Sequence, residues 1–312
     1  MSTIRRPRKG SLQFWPRKRA SKFLPRVNWS SIDSKHKIKG FIGYKVGMAS
    51  AFVKDETPNS MTKGKKIIIP VTILECPPMK VFSIRLYKNG IVKTEILAEN
   101  LEKELKKKIK FPKKKHKLEN INPNDYDDVS ILCHSEVKKT GIKKSPDISE
   151  IGLSGTIEEK INFAREKLGK EIEITDIFEK RQVVDLIGLT KGHGFSGAVK
   201  RFGITLKSHK SEKGRRKPGS LGPWHPARVT YKTPMAGQLG MFSRKTLNNN
   251  IVDMGKSEGK FKNIKNYGEI KTDYLIVRGS VQGPAKRQVI ITAPSRATKK
   301  QSKKIYELID LR

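Results

Sequence analysis

Residues 81–97 read VFSIRLYKNGIVKTEIL, in which two runs of strand-forming residues are separated by Asn89-Gly90. An Asn-Gly pair between two such runs is the strongest short-range signal of a β-hairpin. Runs of the same kind lie on both sides of it in the chain, at residues 40–48, 66–74, 182–190, 274–281 and 288–292. Short antiparallel strands before and after an interruption predict a mainly β protein with one closed β-barrel whose chain is broken by an inserted segment.

The interruption, residues 98–181, has the pattern of a small α/β domain. Leu101, Leu105 and Ile109 recur every four residues, and residues 157–168 carry a similar apolar stripe, so residues 99–110 and 157–168 predict two amphipathic helices. Residues 129–134 and 171–174 predict strands. The lysine-rich run 106–117 has two interpretations that the sequence leaves open, the solvated end of a helix or a secondary contact with RNA.

The charge of the chain is large and unevenly distributed. The formal net charge is +37 over 312 residues. Residues 95–185 hold nineteen Lys or Arg and nineteen Asp or Glu, so the remainder of the chain, with 48 basic and 11 acidic residues, carries the whole excess. A neutral insert within a strongly cationic chain is typical of a protein that binds nucleic acid.

The excess is concentrated in two segments. Residues 191–245 contain thirteen Lys or Arg against the single acid Glu212, with too few apolar residues to fold alone, so we expect a polyanion such as RNA or DNA to order them. Residues 1–39 contain twelve Lys or Arg and one acid, Asp33. Four aromatic residues interleaved with these charges favour an arm that stacks on unpaired bases over a plain disordered tail, and they are Phe14, Trp15, Phe23 and Trp29.

Two glycine motifs in the cationic region resemble nucleotide-binding loops but lack other residues that such loops require. Residues 192–197 satisfy G-x-G-x-x-G, but neither the amphipathic helix nor the ribose-binding acid of a dinucleotide fold follows, and the kinase motifs H-R-D and D-F-G are missing from the sequence. Residues 214–220 have the glycine spacing of a P-loop, but Ser220 stands where the phosphate-binding lysine must be and Pro218 removes a backbone donor. Glycine here is expected to let the backbone approach RNA closely.

No catalytic, cofactor or metal site is predicted. His193, His209 and His225 lie among basic residues, which favour the neutral ring, so they are expected to contact RNA and not to act as bases. Cys76 and Cys133 are the two cysteines and lack the spacing of a disulfide framework or a zinc site. They predict buried thiols in a reducing compartment. The sequence has no signal-peptide pattern and no apolar run of membrane-spanning length, so a cytosolic protein is expected.

Trp224 is the most distinctive residue of the cationic region. Pro223 precedes it and His225-Pro226 follows it, so its backbone is stiffened on both sides and its ring is expected to project as a stacking surface. The alternative is that the ring covers the end of the barrel core. Arg215, Arg216 and Lys217 are expected to supply charge-assisted contacts to phosphate.

The same segments carry a family resemblance. They read VDLIGLTKGHGFSG at 184–197, GPWHPAR at 222–228 and MAGQLG at 235–240, with FWPRKRA at 14–20, GFIGYKVGM at 40–48 and ARE at 164–166. Together they resemble the large-subunit ribosomal protein L3 family in its archaeal and eukaryotic form, over nearly the whole chain. Residues 209–216 are similar to archaeal members and depart from the eukaryotic pattern, which leaves the RNA contacts of residues 207–221 open.

The resemblance implies a structural protein of the large ribosomal subunit that supports assembly and buttresses the peptidyl transferase region. It implies a translation-protein-type barrel on the subunit surface, with two extensions running inward through rRNA and Trp224 at the tip of the central one. The expected parts are a basic N-terminal extension (1–39), barrel (40–97), inserted α/β domain (98–181), barrel (182–200), central rRNA-penetrating extension (201–246), and barrel with a basic C-terminal segment (247–312).

The expected partners are large-subunit rRNA and neighbouring ribosomal proteins, with no membrane, no small-molecule substrate and no homo-oligomer. Two alternatives remain, an RNA-modifying or nucleotide-using enzyme and a general nucleic-acid-compacting protein. The residues expected to bind rRNA are Arg5, Arg6, Arg8, Arg17, Lys18, Arg19, Lys191, Gly192, His193, Gly194, Gly197, Lys200, Arg201, His209, Arg215, Arg216, Lys217, Trp224, His225, Arg228, Arg244 and Lys245.

Overall fold

A computed structural model describes residues 7–112 and 122–312 and shows a mainly β protein. The strands are β1 (Gly40–Asp55), β2 (Lys66–Cys76), β3 (Met79–Lys88), β4 (Ile91–Leu97), β5 (Asp128–Ser135), β6 (Ile148–Gly152), β7 (Glu171–Ile172), β8 (Val183–Leu189), β9 (Phe195–Ser196), β10 (Gly237–Gln238), β11 (Ser243–Lys256), β12 (Asp273–Arg278), β13 (Gln288–Thr292) and β14 (Tyr306–Leu311). The helices are α1 (Ile157–Lys167), α2 (Ala198–Phe202) and α3 (Lys299–Ser302), and short 3-10 turns lie at Trp29–Ser31, Lys103–Lys107, Pro123–Asp125, Val137–Thr140 and Ile174–Asp176.

The chain divides into two compact units. We call residues 1–22 and 189–243 the basic unit, and residues 23–188 and 244–312 the sheet unit. The sheet unit contains a seven-stranded sheet in the order β13-β8-β11-β12-β2-β1-β14, and β13 also pairs with β1. The expected runs 66–74 and 288–292 lie in β2 and β13, the run 182–190 contains β8, and the run 274–281 overlaps β12, which ends at Arg278. The run 40–48 continues to Asp55, because its buried positions recur through Val53.

A second sheet of five strands has the order β4-β3-β5-β6, with β7 paired to β3. The hairpin of residues 81–97 forms as expected, but it pairs with β5 of the insert and is not part of the seven-stranded sheet. The physical reason is that β5 is buried from Val129 to Ser135, so its backbone N–H and C=O groups need hydrogen-bond partners along both edges, which β3 and β6 supply.

The two expected helices of the insert have different outcomes. The prediction for residues 157–168 is confirmed by α1, whose first turn is capped by the Thr156 hydroxyl and whose Ile161 and Ala164 are buried. The prediction of a helix over 99–110 is wrong, because only a 3-10 turn forms there. Leu105 is buried in a small cluster with Phe82 and Leu132, so the apolar spacing serves a packed loop. Of the lysine run 106–117, residues 113–117 lie outside the described residues.

The main hydrophobic core contains residues of both sheets, including Phe41, Tyr44, Leu74 and Ile131. The fully buried Tyr44 hydroxyl lies 2.6 Å from Ser135 Oγ and donates to Asp147 Oδ2 at 2.6 Å. Cys76 and Cys133 are both buried thiols, and burial raises the pKa of each. Among the residues that the structure describes, no helix has the length and apolar character needed to cross a membrane.

The sequence predicts that Trp29 is a stacking residue of a basic arm, but in the structure its ring packs against the protein. Its indole N–H donates to the Glu150 carbonyl at 2.9 Å, and its ring covers Gly40 and Gly152. A Cβ on Gly40 would lie 2.6 Å from the Trp29 ring, so glycine at this position provides the space for the indole. Trp29 therefore belongs to the packed structure of the sheet unit.

The chain leaves the sheet unit after β8 and returns at β11, and a buried carboxylate joins these two strands. Asp185 in β8 has no exposed surface, and its Oδ1 accepts from the Asn248 N–H at 2.8 Å. Its Oδ2 accepts from the N–H and hydroxyl of Ser295 at 2.9 and 3.1 Å and pairs with Lys245 Nζ at 3.1 Å. The carboxylate thus holds β8 to the start of β11 and to the segment after β13.

His134 is a second buried polar group, with 2% of its side chain exposed. Its Nε2 lies 3.1 Å from Glu102 Oε2, and its ring packs 5.9 Å from that of Phe82. Burial lowers the pKa of His134, against the opposing effect of the Glu102 carboxylate. The folded chain therefore favours the neutral imidazole.

We expect Asp185→Asn to lower the free energy of unfolding by about 2–4 kcal/mol, because the new amide group turns two hydrogens toward existing donors and removes the buried partner of Lys245. Asp310→Asn, at an exposed position of β14, is the matched control and is expected to change it by less than about 0.5 kcal/mol. The measurement is equilibrium unfolding in denaturant. Equal effects of the two substitutions would contradict the role assigned to Asp185.

We also expect a pH-dependent contribution from His134. Between pH 7.5 and 5.5 the unfolded chain takes up a proton on this residue near its ordinary pKa of about 6.5, whereas the folded chain resists it. As pH is lowered from 7.5 to 5.5, the free energy of unfolding of the wild type should therefore decrease more steeply than that of His134→Asn. Parallel curves for the two proteins, measured by denaturant unfolding at several pH values, would refute this expectation.

Candidate nucleic-acid interface

The described residues of the basic unit carry almost only positive charge. Residues 7–22 hold six Lys or Arg, residues 189–243 hold eleven, and Glu212 is the one acid among them. Every residue from Leu221 to Thr230 is exposed, and the fully described stretch between α2 and β10 contains no helix or strand. A surface of this charge favours a polyanionic ligand.

We call residues 189–243 the central segment, and residues 192–197 with residues 237–240 its root, which is ordered by its own glycine motifs. β9 and β10 pair antiparallel, which joins residues 192–197 to residues 237–240. The His193 N–H donates to the Leu239 carbonyl and the Leu239 N–H to the Gly194 carbonyl, both at 2.9 Å. Backbone pairing therefore orders this root, and the expectation that a polyanion orders residues 191–245 stays a prediction.

Gly240 makes this pairing possible. It has φ of +80°, and a Cβ there would overlap the Lys191 carbonyl and lie 2.9 Å from the Cα of Gly192. Two backbones meet at this point without any side chain between them. Gly192 of the G-x-G-x-x-G motif therefore serves a close approach of two chain segments, whereas a Cβ on Gly194 or Gly197 would have nothing within 4 Å.

Aromatic rings and guanidinium groups pack residues 15–17 against the central segment within the basic unit. The Trp15 and Phe202 rings stack at 6.0 Å, and Tyr231 meets Trp15 edge-on at 5.6 Å. The Arg17 guanidinium lies 4.5 Å from the Phe202 ring and donates to the Arg201 carbonyl at 3.1 Å. Cation–π contacts of this kind help to order a segment that has few apolar residues.

Arg201 completes this arrangement. Its guanidinium donates to the carbonyls of Gln238 and Met235 at 2.9 and 3.0 Å. The pKa values of Arg17 and Arg201 are lowered, chiefly by burial and then by a neighbouring guanidinium, Arg8 for Arg17 and Arg17 for Arg201. Both residues, expected from the sequence to bind rRNA, thus have contacts within the protein.

The remaining expected rRNA-binding residues fall into three groups. Arg5 and Arg6 lie outside the described residues, and Arg8 donates to the Lys232 carbonyl. Arg244 and Lys245 lie in β11 of the sheet unit, where Lys245 pairs with Asp185. The others are exposed on the basic unit, and they are Lys18, Arg19, Lys191, Gly192, His193, Gly194, Gly197, Lys200, His209, Arg215, Arg216, Lys217, Trp224, His225 and Arg228.

Trp224 is 86% exposed, so the alternative in which it covers the barrel core is wrong. The preceding residues, Ser220 to Pro223, line an open groove with Arg8 and with Lys232 to Pro234. Within this groove the Thr233 hydroxyl donates to the Leu221 carbonyl at 3.0 Å, which joins its two walls. An aromatic ring thus projects next to a groove that has basic residues on one side.

The sequence interpretation missed two aromatic residues of the basic unit. Phe195 is 82% exposed in β9, and Tyr231 is exposed next to Trp15. A strand of two residues gives no readable alternation, so the outward direction of Phe195 has no signal in the sequence. Tyr231 had the same signal as the aromatic residues of the N-terminal segment, an aromatic residue beside a lysine in a cationic run.

Comparison with known proteins shows similarity over the full length. The family model described as Ribosomal protein L3 matches residues 1–312. The chain is 42% identical to the large ribosomal subunit protein uL3 of Methanocaldococcus jannaschii, over 92% of this chain and 91% of the relative. It is 43% identical to that of Methanobrevibacter smithii, over 94% and 93%. For the protein of the same name from Archaeoglobus fulgidus the identity is 38%, over 91% and 90%.

We expect Gly240→Ala to disrupt the root of the central segment, because the methyl group must displace the backbone at Lys191. Gly203→Ala is the matched control, since Gly203 has a similar φ of +67° but nothing within 4 Å of the added carbon. The control should cost about 1–2 kcal/mol of backbone strain, and Gly240→Ala about 2–5 kcal/mol in all. Amide hydrogen exchange at His193 and Leu239 is the measurement, and equal protection in the two variants would contradict the expectation.

Proposed function

The chain belongs to the ribosomal protein L3 family, and on that premise we propose that it is a structural constituent of the large ribosomal subunit that binds the subunit's rRNA through the basic unit. The relatives are named as ribosomal proteins and not as enzymes, and the chain is a structural protein of the archaeal type. A ribosomal protein acts on the ribosome in the cytoplasm, which is the location expected from the sequence.

The observation that carries the proposal is the surface of the basic unit. Its described residues include seventeen Lys or Arg and one acid, and the aromatic ring of Trp224 is almost fully exposed. Lys and Arg side chains that neutralise phosphates supply affinity by releasing counterions, and the fixed shape of the root supplies orientation. Aromatic rings beside them suit unpaired bases, which is how proteins bind irregular RNA.

We propose that six strands of the seven-stranded sheet form a closed barrel of the translation-protein type, with β14 attached outside it. The support is the cycle of pairings: β13, β8, β11, β12, β2 and β1 follow one another, and β1 also pairs with β13. The β3–β4 hairpin is then part of the inserted domain, because β3 pairs with β5.

We further propose that the exposed stretch around Trp224 and His225 is the inner tip of the central extension. There it would buttress the peptidyl transferase region, and the protein would act early in assembly of the subunit. The support is that every residue from 221 to 230 is exposed, on a unit whose root is held by β9, β10 and the Arg17–Phe202 packing. Neighbouring ribosomal proteins are the proposed partners of the neutral insert.

The proposal is tested by binding the purified chain to a fragment of large-subunit rRNA at several salt concentrations. If the basic unit neutralises six to ten phosphates, affinity should fall by about 10³- to 10⁵-fold between 50 and 200 mM salt. Trp224→Ala should weaken binding by about 5- to 150-fold, the loss of one stacked base, with an unchanged salt slope. Lys217→Ala should instead reduce the slope by about one.

Met61→Ala is the matched control, because Met61 is 97% exposed but lies in a loop of the sheet unit, and it should bind as the wild type does. Competition with duplex DNA separates the proposal from a general compacting protein, which would show no preference for rRNA. Affinity that hardly changes with salt, or equal competition by duplex DNA, would overturn the proposed function.

A further inference from the structure

β9 has an inverted distribution of polar and apolar side chains. Phe195 is 82% exposed, whereas its neighbour Ser196 is 7% exposed. Successive residues of a strand point to opposite faces, so the order of burial is set by the register of the strand. Burial of the phenylalanine would be more stable, since a fully buried Phe side chain contributes about 1.5–3 kcal/mol to the free energy of unfolding relative to an exposed one.

The register that exposes Phe195 is firmly fixed. Phe195 lies opposite Gln238 and Ser196 opposite Gly237, and the backbone hydrogen bonds between His193 and Leu239 and between Leu239 and Gly194 continue the pairing beyond them. A shift by one residue would break these bonds. The exposed ring therefore reflects a fixed pairing and does not depend on the conformation of a loose loop.

Contacts on both sides of the strand pair hold it in place. The Ser196 hydroxyl donates to the His193 carbonyl at 3.3 Å, which gives the buried polar group a partner. On the opposite strand the Gln238 carbonyl accepts from Arg201 Nε at 2.9 Å. The ring thus stands on a short but well-braced support, as a preset contact surface requires.

The surroundings of Phe195 indicate what it contacts. Lys191, His193 and Lys200 are all exposed within five residues of it, and Glu212 is the one acid among the described residues of the basic unit. An apolar face of a partner protein is a poor match for a ring whose neighbours in sequence include exposed lysines. A nucleobase is a good match, because its flat face stacks on the ring while its phosphates meet the lysines.

We propose that Phe195 is a second stacking platform for an unpaired nucleobase of rRNA, located at the root of the central segment and separate in sequence from Trp224. This inference rests on the proposed function, because the base belongs to the rRNA that the basic unit binds. Trp224 then contacts RNA at the distal part of the segment, and Phe195 fixes the RNA at the part that backbone pairing holds rigid.

The test compares Phe195→Ala, Phe195→Leu and Phe195→Tyr with the wild type in binding to the same rRNA fragment at several salt concentrations. Loss of a stacked base should weaken binding by about 5- to 150-fold in the Ala and Leu variants, with the salt slope unchanged. The Tyr variant keeps an aromatic face and should bind as the wild type does. Leu206→Ala, a partly exposed apolar residue in the same unit, is the control and should also bind normally.

The outcomes separate the two proposals. Salt-dependent binding by the wild type that is unchanged in Phe195→Ala would overturn the inference and leave the proposed function intact. Normal binding by Phe195→Leu with weak binding by Phe195→Ala would also overturn it, because an apolar contact would then suffice. Absence of salt-dependent binding by the wild type would overturn both. Thermal unfolding of each variant, expected to match the wild type since the ring is exposed, shows that a loss of binding is not a loss of fold.

Discussion

The buried carboxylate of Asp185 is the interaction on which the arrangement of the chain depends. It lies in the middle of β8, a strand in which all seven residues are buried, where an ion is unfavourable unless it is paired and hydrogen-bonded. Its donors come from β11 and from the residues after β13, and β8 and β11 are the strands that flank the central segment in sequence. One side chain therefore fixes both the point at which the chain leaves the sheet unit and the point at which it returns.

Different interactions order the sheet unit and the basic unit. The sheet unit has a conventional core, in which residues such as Phe41, Leu74 and Ile131 are removed from water. The basic unit has few such residues and uses backbone pairing at Gly240 together with rings and guanidinium groups stacked around Phe202. The alkyl and planar parts of Arg17 and Arg201 pack against rings and backbone there. Two of the seventeen described cations of the basic unit are therefore partly withdrawn from the charge presented to a ligand.

The sequence predicts best where the signal is local. The β-branched run QVIIT is the strand Gln288–Thr292, and the stripe and cap at Thr156 define α1. β11 was not expected, because Asn248 to Asn250 and Gly255 are poor strand formers and the strand forms through its partners. The hairpin at Asn89-Gly90 was expected, but the sheet to which it belongs is decided by pairing with β5, which is distant in sequence.

The same limit applies to the candidate site. The exposure of Trp224 follows from the prolines on either side of it, which is a local constraint. Arg17 and Arg201 resemble any other arginine of a cationic run, and only the folded chain shows that carbonyl groups and rings already engage them. Trp29 likewise resembles the aromatic residues of a basic arm until Gly40 and Gly152 are seen to make room for it.

The exposure of Phe195 and Trp224 has a consequence for the protein before it meets its ligand. Two uncovered aromatic rings on one unit are the kind of surface through which copies of a chain associate and precipitate. Here each ring lies in a field of one sign, and like charges repel at separations up to the screening length of about 8 Å at physiological salt. The lysines and arginines therefore keep copies of the chain apart, and in the proposed function the RNA that neutralises these charges also covers the two rings.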